Sequence, residues 1–326
     1  MSVERLTPTR VYRFYRGGKL IGRLRGADED DDAFPEDWVG SVTQASNPGR
    51  DDPEEGLSRL ADGRLLKDVI DADREYWLGG SSTTGVLVKL LDPAERLPVH
   101  AHPDRPFARR HFGSPFGKTE AWIVLETRAT DGELWIGLRE SVEPDTYRAW
   151  IDHQDTDALL DSLNRVTARA GDVFFVPAGV PHAIGAGLLV AELQEPTDYS
   201  IICEWTGFPI APEDTDLGLG WETAIGALEL ERHEPVRGLP PEAAEFFWAD
   251  EELEPAGRFA VLIVLEGEGE LDGQAAERGD TFVVPARADR LAVSGDLRVL
   301  RCLAPRPAEA VDDRGELAQA RDRPLA

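Results

Sequence analysis

Apolar residues recur along most of this chain at the spacing of strands rather than helices. Residues 85–91 form an apolar run interrupted only by Lys89 and ended by Asp92-Pro93, the pattern of a strand buried on both faces. Residues 97–102, 121–126, 133–138, 172–176, 188–192 and 199–203 read as further short strands separated by Gly, Pro and Asp turns. The alternation in 11–15 and 20–24 around Gly17-Gly18 predicts a hairpin, and Asp131-Gly132 predicts a turn joining 121–126 to 133–138. Residues 144–166 change period. There Leu159, Leu160, Leu163 and Val166, with Asp155 as N-cap, predict a short helical insertion. Residues 46–56 read as loop and 206–224 as linker, both rich in Pro, Gly and Asp.

The chain also repeats itself. Residues 279–285 follow the spacing of 171–177, from Gly-Asp to Pro, and 261–265 echo 122–125. Short strands, few helices and this repetition predict a mainly β fold of two sandwich or barrel domains. The first spans 1–215, with the helical insertion at about 144–166. The second spans 225–305, and a polar tail follows at 306–326. The second copy has Ala288-Asp289 near the point where the first has His182.

Charge narrows the function. The 326 residues carry 35 Lys+Arg against 62 Asp+Glu, a net charge of −27. A surface this acidic repels a phosphate backbone, so a nucleic-acid partner is not expected. No apolar run approaches the roughly 20 residues of a membrane helix, and the first ten residues hold no apolar signal segment. Two cysteines, Cys203 and Cys302, do not make a disulfide scaffold, so a cytoplasmic protein is expected. The block Asp28-Glu29-Asp30-Asp31-Asp32 reads as a solvated loop. Lysine occurs only at Lys19, Lys67, Lys89 and Lys118, so a position that keeps Lys in so Arg-rich a chain points to a specific need.

Three of the six histidines fall into a pattern. His100 and His102 are two apart on an expected strand and so share a face. His182 closes Gly171-x5-Pro177-x-Gly179-x2-His182, and Glu120 precedes the 121–126 strand. Imidazoles and a carboxylate converging inside a β-barrel suit Zn²⁺ or a similar divalent ion. His111, His153 and His233 lie outside the pattern and read as surface or structural.

The Gly-x5-Pro-x-Gly-x2-His string resembles the second motif of the cupin superfamily. His102-Pro103-Asp104, Gly117-Lys118-Thr119-Glu120-Ala121-Trp122, the run 176–185 and Glu192-Leu193-Gln194 resemble the type I mannose-6-phosphate isomerases. Glu36-Asp37-Trp38-Val39-Gly40-Ser41 is similar to a further element of that family. The resemblance covers about residues 10–205 well, and implies two cupin (jelly-roll) domains, the second degenerate. It implies metal ligands at His100, His102, Glu120 and His182, with one zinc ion per chain. It implies active-site lysines at Lys89 and Lys118 and an active-site carboxylate at Glu192. The implied activity is aldose–ketose isomerisation of mannose 6-phosphate or a related sugar, with Lys118 or Glu192 moving the proton and Lys89 binding substrate oxygens.

Two departures stand out. Pro98 and His100 replace a family serine and an amide ligand, and Ile202 stands where the family carries an arginine. Arg105, Arg109 and Arg110, between His102 and Glu120, are the candidates to supply that charge. The departures also favour an alternative, a metal-bearing sugar-binding cupin without turnover. A metal-dependent oxygenase is compatible with the ligand set alone.

Overall fold

A computed structural model describes residues 3–27, 33–129 and 131–306. The acidic block at 28–32 and the tail beyond Arg306 lie outside the described residues. Among the described residues the fold is mainly β, with three antiparallel sheets.

The central sheet has seven strands. Their order is Val236–Arg237, Val173–Val176, Glu120–Thr127, Leu188–Gln194, Leu87–Leu91, Glu36–Val39 and Arg10–Val11. One face packs on a five-stranded sheet of Ile201–Ile202, His100–Ala101, His182–Ile184, Gly132–Leu138 and Leu163–Ala168. Trp122, Val124, Phe174 and Val190 of the first meet Leu134, Ile136 and Ile184 of the second in one buried cluster. The opposite face carries the alternate residues Val88, Leu90, Ala121, Ile123, Ala191 and Leu193. These pack on a six-stranded sheet built from Glu4–Arg5, Trp248–Asp250, Ala260–Leu271, Gln274–Glu277, Thr281–Val284 and Val293–Leu303. Every residue of Leu87–Leu91 and Leu188–Gln194 is therefore buried, which is why these strands read as continuous apolar runs.

Several sequence expectations change. Residues 20–24 are a helix, Leu20–Leu24, not the second arm of a hairpin. Its first amides, those of Leu20 and Ile21, donate to the buried carboxylate of Asp92, which also holds Arg128. The strands Glu120–Thr127 and Gly132–Leu138 do not pair with each other; the turn between them crosses from the central sheet to the five-stranded one. The insertion is two helices, Pro144–His153 and Thr156–Ser162, the second capped by Asp155 accepting from the Ala158 amide. Leu163 and Val166 leave that helix and pair in a strand with Gly132–Leu138. The expected linker 206–224 packs down, with Ala224 buried and Leu217 and Trp221 against the same cluster as Val99 and Ile201.

Asp92→Ala should cost about 3 kcal/mol, because it strips a buried charge partner from Arg128 and two amides from their acceptor. Urea unfolding followed by tryptophan fluorescence measures it. A loss below about 1 kcal/mol contradicts the capping role.

Candidate functional site

The site forms where the central and five-stranded sheets open at one end. His100 and His182 face each other across antiparallel strands, and His102 follows two residues on from His100. Each imidazole is aimed from behind. Nδ1 of His100 lies 2.8 Å from the carbonyl oxygen of Pro98, Nδ1 of His182 lies 2.8 Å from that of Val180, and Nδ1 of His102 lies 2.7 Å from that of Tyr199. A carbonyl can only accept, so each Nδ1 carries the proton and each Nε2 presents a lone pair. Among the described residues these three histidines form a group whose ligand atoms all lie within 4.8 Å of one another. The Nε2 atoms of His100 and His182 are 3.0 Å apart with no proton to share.

Glu120 comes from the central sheet to the edge of this cluster. Its Oε1 is 3.0 Å from His102 Nε2 and its Oε2 is 3.7 Å from His182 Nε2. Trp122 Nε1 donates to Oε2 at 3.0 Å. Oε1 is 2.8 Å from Lys118 Nζ yet accepts no well-aligned hydrogen bond. Converging lone pairs and an unsatisfied buried carboxylate oxygen fit a divalent cation, with His100, His102, His182 and Glu120 as the residues that would hold it. Burial, then the Lys118 charge, lowers the His102 pKa to about 3, and burial with His102 lowers that of His182 to about 3. Burial, then His182, takes His100 well below its usual value. Neutral imidazole is the form that ligates a metal.

Two tight loops set this end of the site. Gly117 lies against Pro103–Arg105, where a Cβ would sit 2.6 Å from the Pro103 carbonyl oxygen. Lys118 consequently enters the site directly after that contact, its amide bonded to the same carbonyl. Gly179 adopts φ +88° and donates to the His102 carbonyl, which positions the turn leading to His182.

A cavity of about 140 Å³ opens beside the cluster. His100, Lys118, Lys89 and Glu192 all line it. The pairing register explains why. Trp38, Lys89, Glu192 and Trp122 lie in one cross-strand row on the face that looks toward the five-stranded sheet. Lys89 Nζ is 3.5 Å from Glu192, 3.7 Å from Glu36 and 3.8 Å from Asp198, and sits over the Trp38 ring. Burial works to lower the Lys89 pKa, but Glu36, Glu192 and Asp198 outweigh it and raise it. Burial, then the Glu120 charge, raises the pKa of Glu192 to about 7 against the pull of Lys89 and Lys118.

The structure brings in residues that the sequence reading did not assign. Arg13 is buried in the cavity wall, paired with Asp198 at 2.9 and 3.2 Å and with Glu36 at 3.0 Å. Tyr15 donates to Glu36 at 2.6 Å. Burial opposes the charge of Glu36, yet Arg13 and Lys89 prevail and hold its carboxyl far below the usual range. A signal existed for Arg13: it alternates with Val11 and Tyr15, both buried, so it occupies an inward position that a surface arginine would avoid. Ile202 lines the cavity, as expected for the position where the charge was missing. Arg105 does not replace it, being tied to Glu195 and Glu245 over the Phe246 ring. Arg109 and Arg110 sit exposed in the helix Arg105–Phe112 and do not line the cavity. His111 stacks near Phe107, His153 bonds the Ala149 carbonyl, and His233 packs beside Gly137, all outside the cluster.

One divalent ion per chain is expected, and His182→Ala should abolish its retention on a desalting column, read by elemental analysis. The metal-free protein should also lose stability in acid. The unfolded imidazoles take up protons near pH 6.5, whereas folded His102 and His182 do so only near 3. Acidification through that window therefore favours the unfolded chain. Glu192, raised to about 7, acts oppositely between about 4.5 and 7, but one carboxyl is outweighed by three imidazoles. The urea midpoint of chelator-treated protein should be lower at pH 5 than at pH 7; an equal midpoint contradicts buried neutral imidazoles.

No protein-family model matches the chain. It is 38% identical over 118 residues to a mannose-6-phosphate isomerase of Streptococcus mutans, covering 36% of this chain and 35% of the relative. That match spans about a third of the length of the relative. The fold aligns with the mannose 6-phosphate isomerase of Bacillus subtilis at TM-score 0.72 and 21% identity, covering 93% of this chain and 99% of the other. It also aligns with a mannose 6-phosphate isomerase bound with zinc and yttrium at TM-score 0.66 and 16% identity, covering 93% and 100%. The resemblance read from the sequence is thereby borne out: relatives named mannose-6-phosphate isomerase match the chain, and it shares the fold of the phosphomannose isomerases almost end to end.

Proposed function

We propose that the protein is a divalent-metal-dependent aldose–ketose isomerase acting on mannose, mannose 6-phosphate or a related hexose. The observation that carries this is the convergence of three Nε2 lone pairs, Glu120, Lys118, Lys89 and Glu192 on one cavity. Zinc is the proposed metal, from the imidazole and carboxylate donor set and from the zinc-bound neighbour of the same fold. When bound, the cation polarises the C1 and C2 oxygens of the sugar.

The chain's own residues then have these roles. Glu192 takes the proton from the carbon next to the carbonyl and returns it to the adjacent carbon. Buried beside Lys89 in the cavity wall, Glu192 is the carboxyl placed to both accept and donate that proton. Lys89, 3.5 Å from Glu192 and kept protonated by three carboxylates, orients Glu192 and donates to a sugar hydroxyl. Lys118, held 2.8 Å from Glu120 Oε1, places positive charge beside the oxygens that become negative in the enediolate, gives a proton to the former carbonyl oxygen and recovers one from the neighbouring hydroxyl as that becomes the new carbonyl. The cluster and the row of strand residues belong to the metal-bearing domain proposed at 1–215. Of the degenerate copy proposed at 225–305, the strands from Trp248 to Leu303 back the central sheet, whereas Val236–Arg237 pairs with Val173–Val176 inside it; a cytoplasmic location accords with two free, buried cysteines.

A sugar-binding protein without turnover is the second reading, favoured by Ile202 in the cavity wall. Metal-loaded protein incubated with mannose, mannose 6-phosphate and a panel of other aldohexoses and their phosphates should convert at least one to the corresponding ketose; absence of product from all of them sinks the isomerase reading. Glu192→Gln should lower kcat at least about 100-fold while leaving metal content unchanged. Lys118→Arg, which keeps the charge on a larger head group that does not release a proton, should lower kcat strongly as well. A near-native rate in that variant restricts Lys118 to supplying charge.

A further inference from the structure

The walls of the cavity are not all fastened alike. The loop at 46–48 is tied down: the Ser46 amide donates to Asp198 at 2.8 Å, and Asn47 accepts from Arg13 at 3.0 Å and donates to Glu55 at 3.2 Å. Ile210 and Asp214 also line the cavity, but the segment that carries them, residues 207–214, belongs to no sheet. Both its ends are anchored. Gln154 Oε1 accepts from the amides of Trp205 and Thr206 at 2.6 and 2.8 Å, and the carbonyl of buried Thr215 accepts from the Ile202 amide at 2.8 Å. Between those anchors the hydrogen bonds of 207–214 reach no further than residues 205–215: the Phe208 amide donates to the Trp205 carbonyl and the Asp214 amide to that of Ala211. The Phe208 ring supplies the contact to the body of the protein. It stands edge-on to Phe14, with centroids 6.3 Å apart at 88°, and Arg96 lies 5.9 Å from its centre. Arg96 is itself pinned to buried Glu204 at 2.6 and 2.7 Å.

The segment is built to swing rather than to unravel. Gly207 adopts φ +92°, and a Cβ there would meet nothing within 4 Å, so the glycine serves the backbone and not a close contact. Pro209 and Pro212 fix φ within the segment and keep it stiff. Phe208 and Ile210 are half-buried, whereas Pro209, Pro212 and Glu213 are exposed, so one side faces the protein and the other faces water. An aromatic edge contact and a cation over a half-buried ring are both weak, and breaking them disturbs no sheet. An enediolate must be kept from water, yet each sugar has to enter and leave. A stiff, weakly held wall meets both needs.

Resting on the isomerase reading, we infer that residues 207–214 are a lid over the sugar cavity, hinged at Gly207 and latched by Phe208 on Phe14 and Arg96. With the latch released, the lid lifts and the sugar passes beneath Ile210. With the latch made, Ile210 covers the bound sugar. Phe208 does not line the cavity. It is a positioning residue that sets how much of the protein has the lid closed.

The test is hydrogen–deuterium exchange of metal-loaded protein, read by mass spectrometry on peptides spanning 205–215, with and without saturating mannose or mannose 6-phosphate. At least one of the two sugars should slow exchange in this segment about fivefold or more, and Phe208→Ala should abolish that protection. On the sugar that is converted, Phe208→Ala should raise KM about tenfold with kcat within about threefold, because the closed population falls while the reacting groups on the sheets stay in place. Phe208→Tyr, which keeps the ring, should restore both protection and KM. A converted sugar that leaves exchange at 207–214 unchanged overturns the lid and leaves the isomerase reading intact, as does a Phe208→Ala KM within twofold of the native value. If no sugar is converted, the isomerase reading falls and exchange alone decides. Protection that is lost in Phe208→Ala and regained in Phe208→Tyr then supports the lid, and no protection by either sugar overturns it.

Discussion

Three imidazole lone pairs are forced together at the open end of two sheets, and much of the surrounding structure follows from that. Each ring is fixed by a backbone carbonyl behind it, so none can turn its N–H inward to relieve its neighbours. Burial alone already favours neutral imidazoles, and Lys118 beside His102 adds to this. Such a cluster is costly as it stands and becomes favourable with a divalent cation at its centre. Glu120 contributes the negative charge that a dication needs, and the Trp122 indole keeps its second oxygen satisfied.

The central sheet makes this placement possible. Because both its faces are covered, side chains alternate between two cores, and polar residues survive on one face only near the open end. Lys89 and Glu192 reach the same cavity because their strands pair in one register, with Trp38 and Trp122 closing the row on either side. A one-residue slip would bury both charges in the apolar layer against the six-stranded sheet.

The acidic composition acts at two scales. On the surface, arginines are spent on local pairs with carboxylates, such as Arg298 with Glu251 and Glu266. In the cavity the same pairing ties Arg13, Lys89 and Lys118 to buried carboxylates. Two of the four lysines, Lys89 and Lys118, are buried there, where a single compact ammonium fits among several carboxylates and imidazoles. Lys67 is an exposed partner of Asp71, and Lys19 precedes the helix Leu20–Leu24.

The sequence by itself determined the strands that are buried on both faces, since a continuous apolar run survives any choice of neighbours. It also determined the histidine cluster, because His100 and His102 share a strand face and a fixed turn delivers His182. Other features depended on distant partners. The helix Leu20–Leu24 exists where Asp92 receives its amides, and the strand continuing through Leu163 and Val166 exists where Gly132–Leu138 offers an edge. His102 takes its orientation from the carbonyl of Tyr199, nearly a hundred residues on. Arg13, Glu36 and Asp198 form one ionic group from three separate segments. Periodicity records which side of its own backbone a residue hides. It does not record which remote donor or acceptor will meet it there, and only the packed sheets decide that.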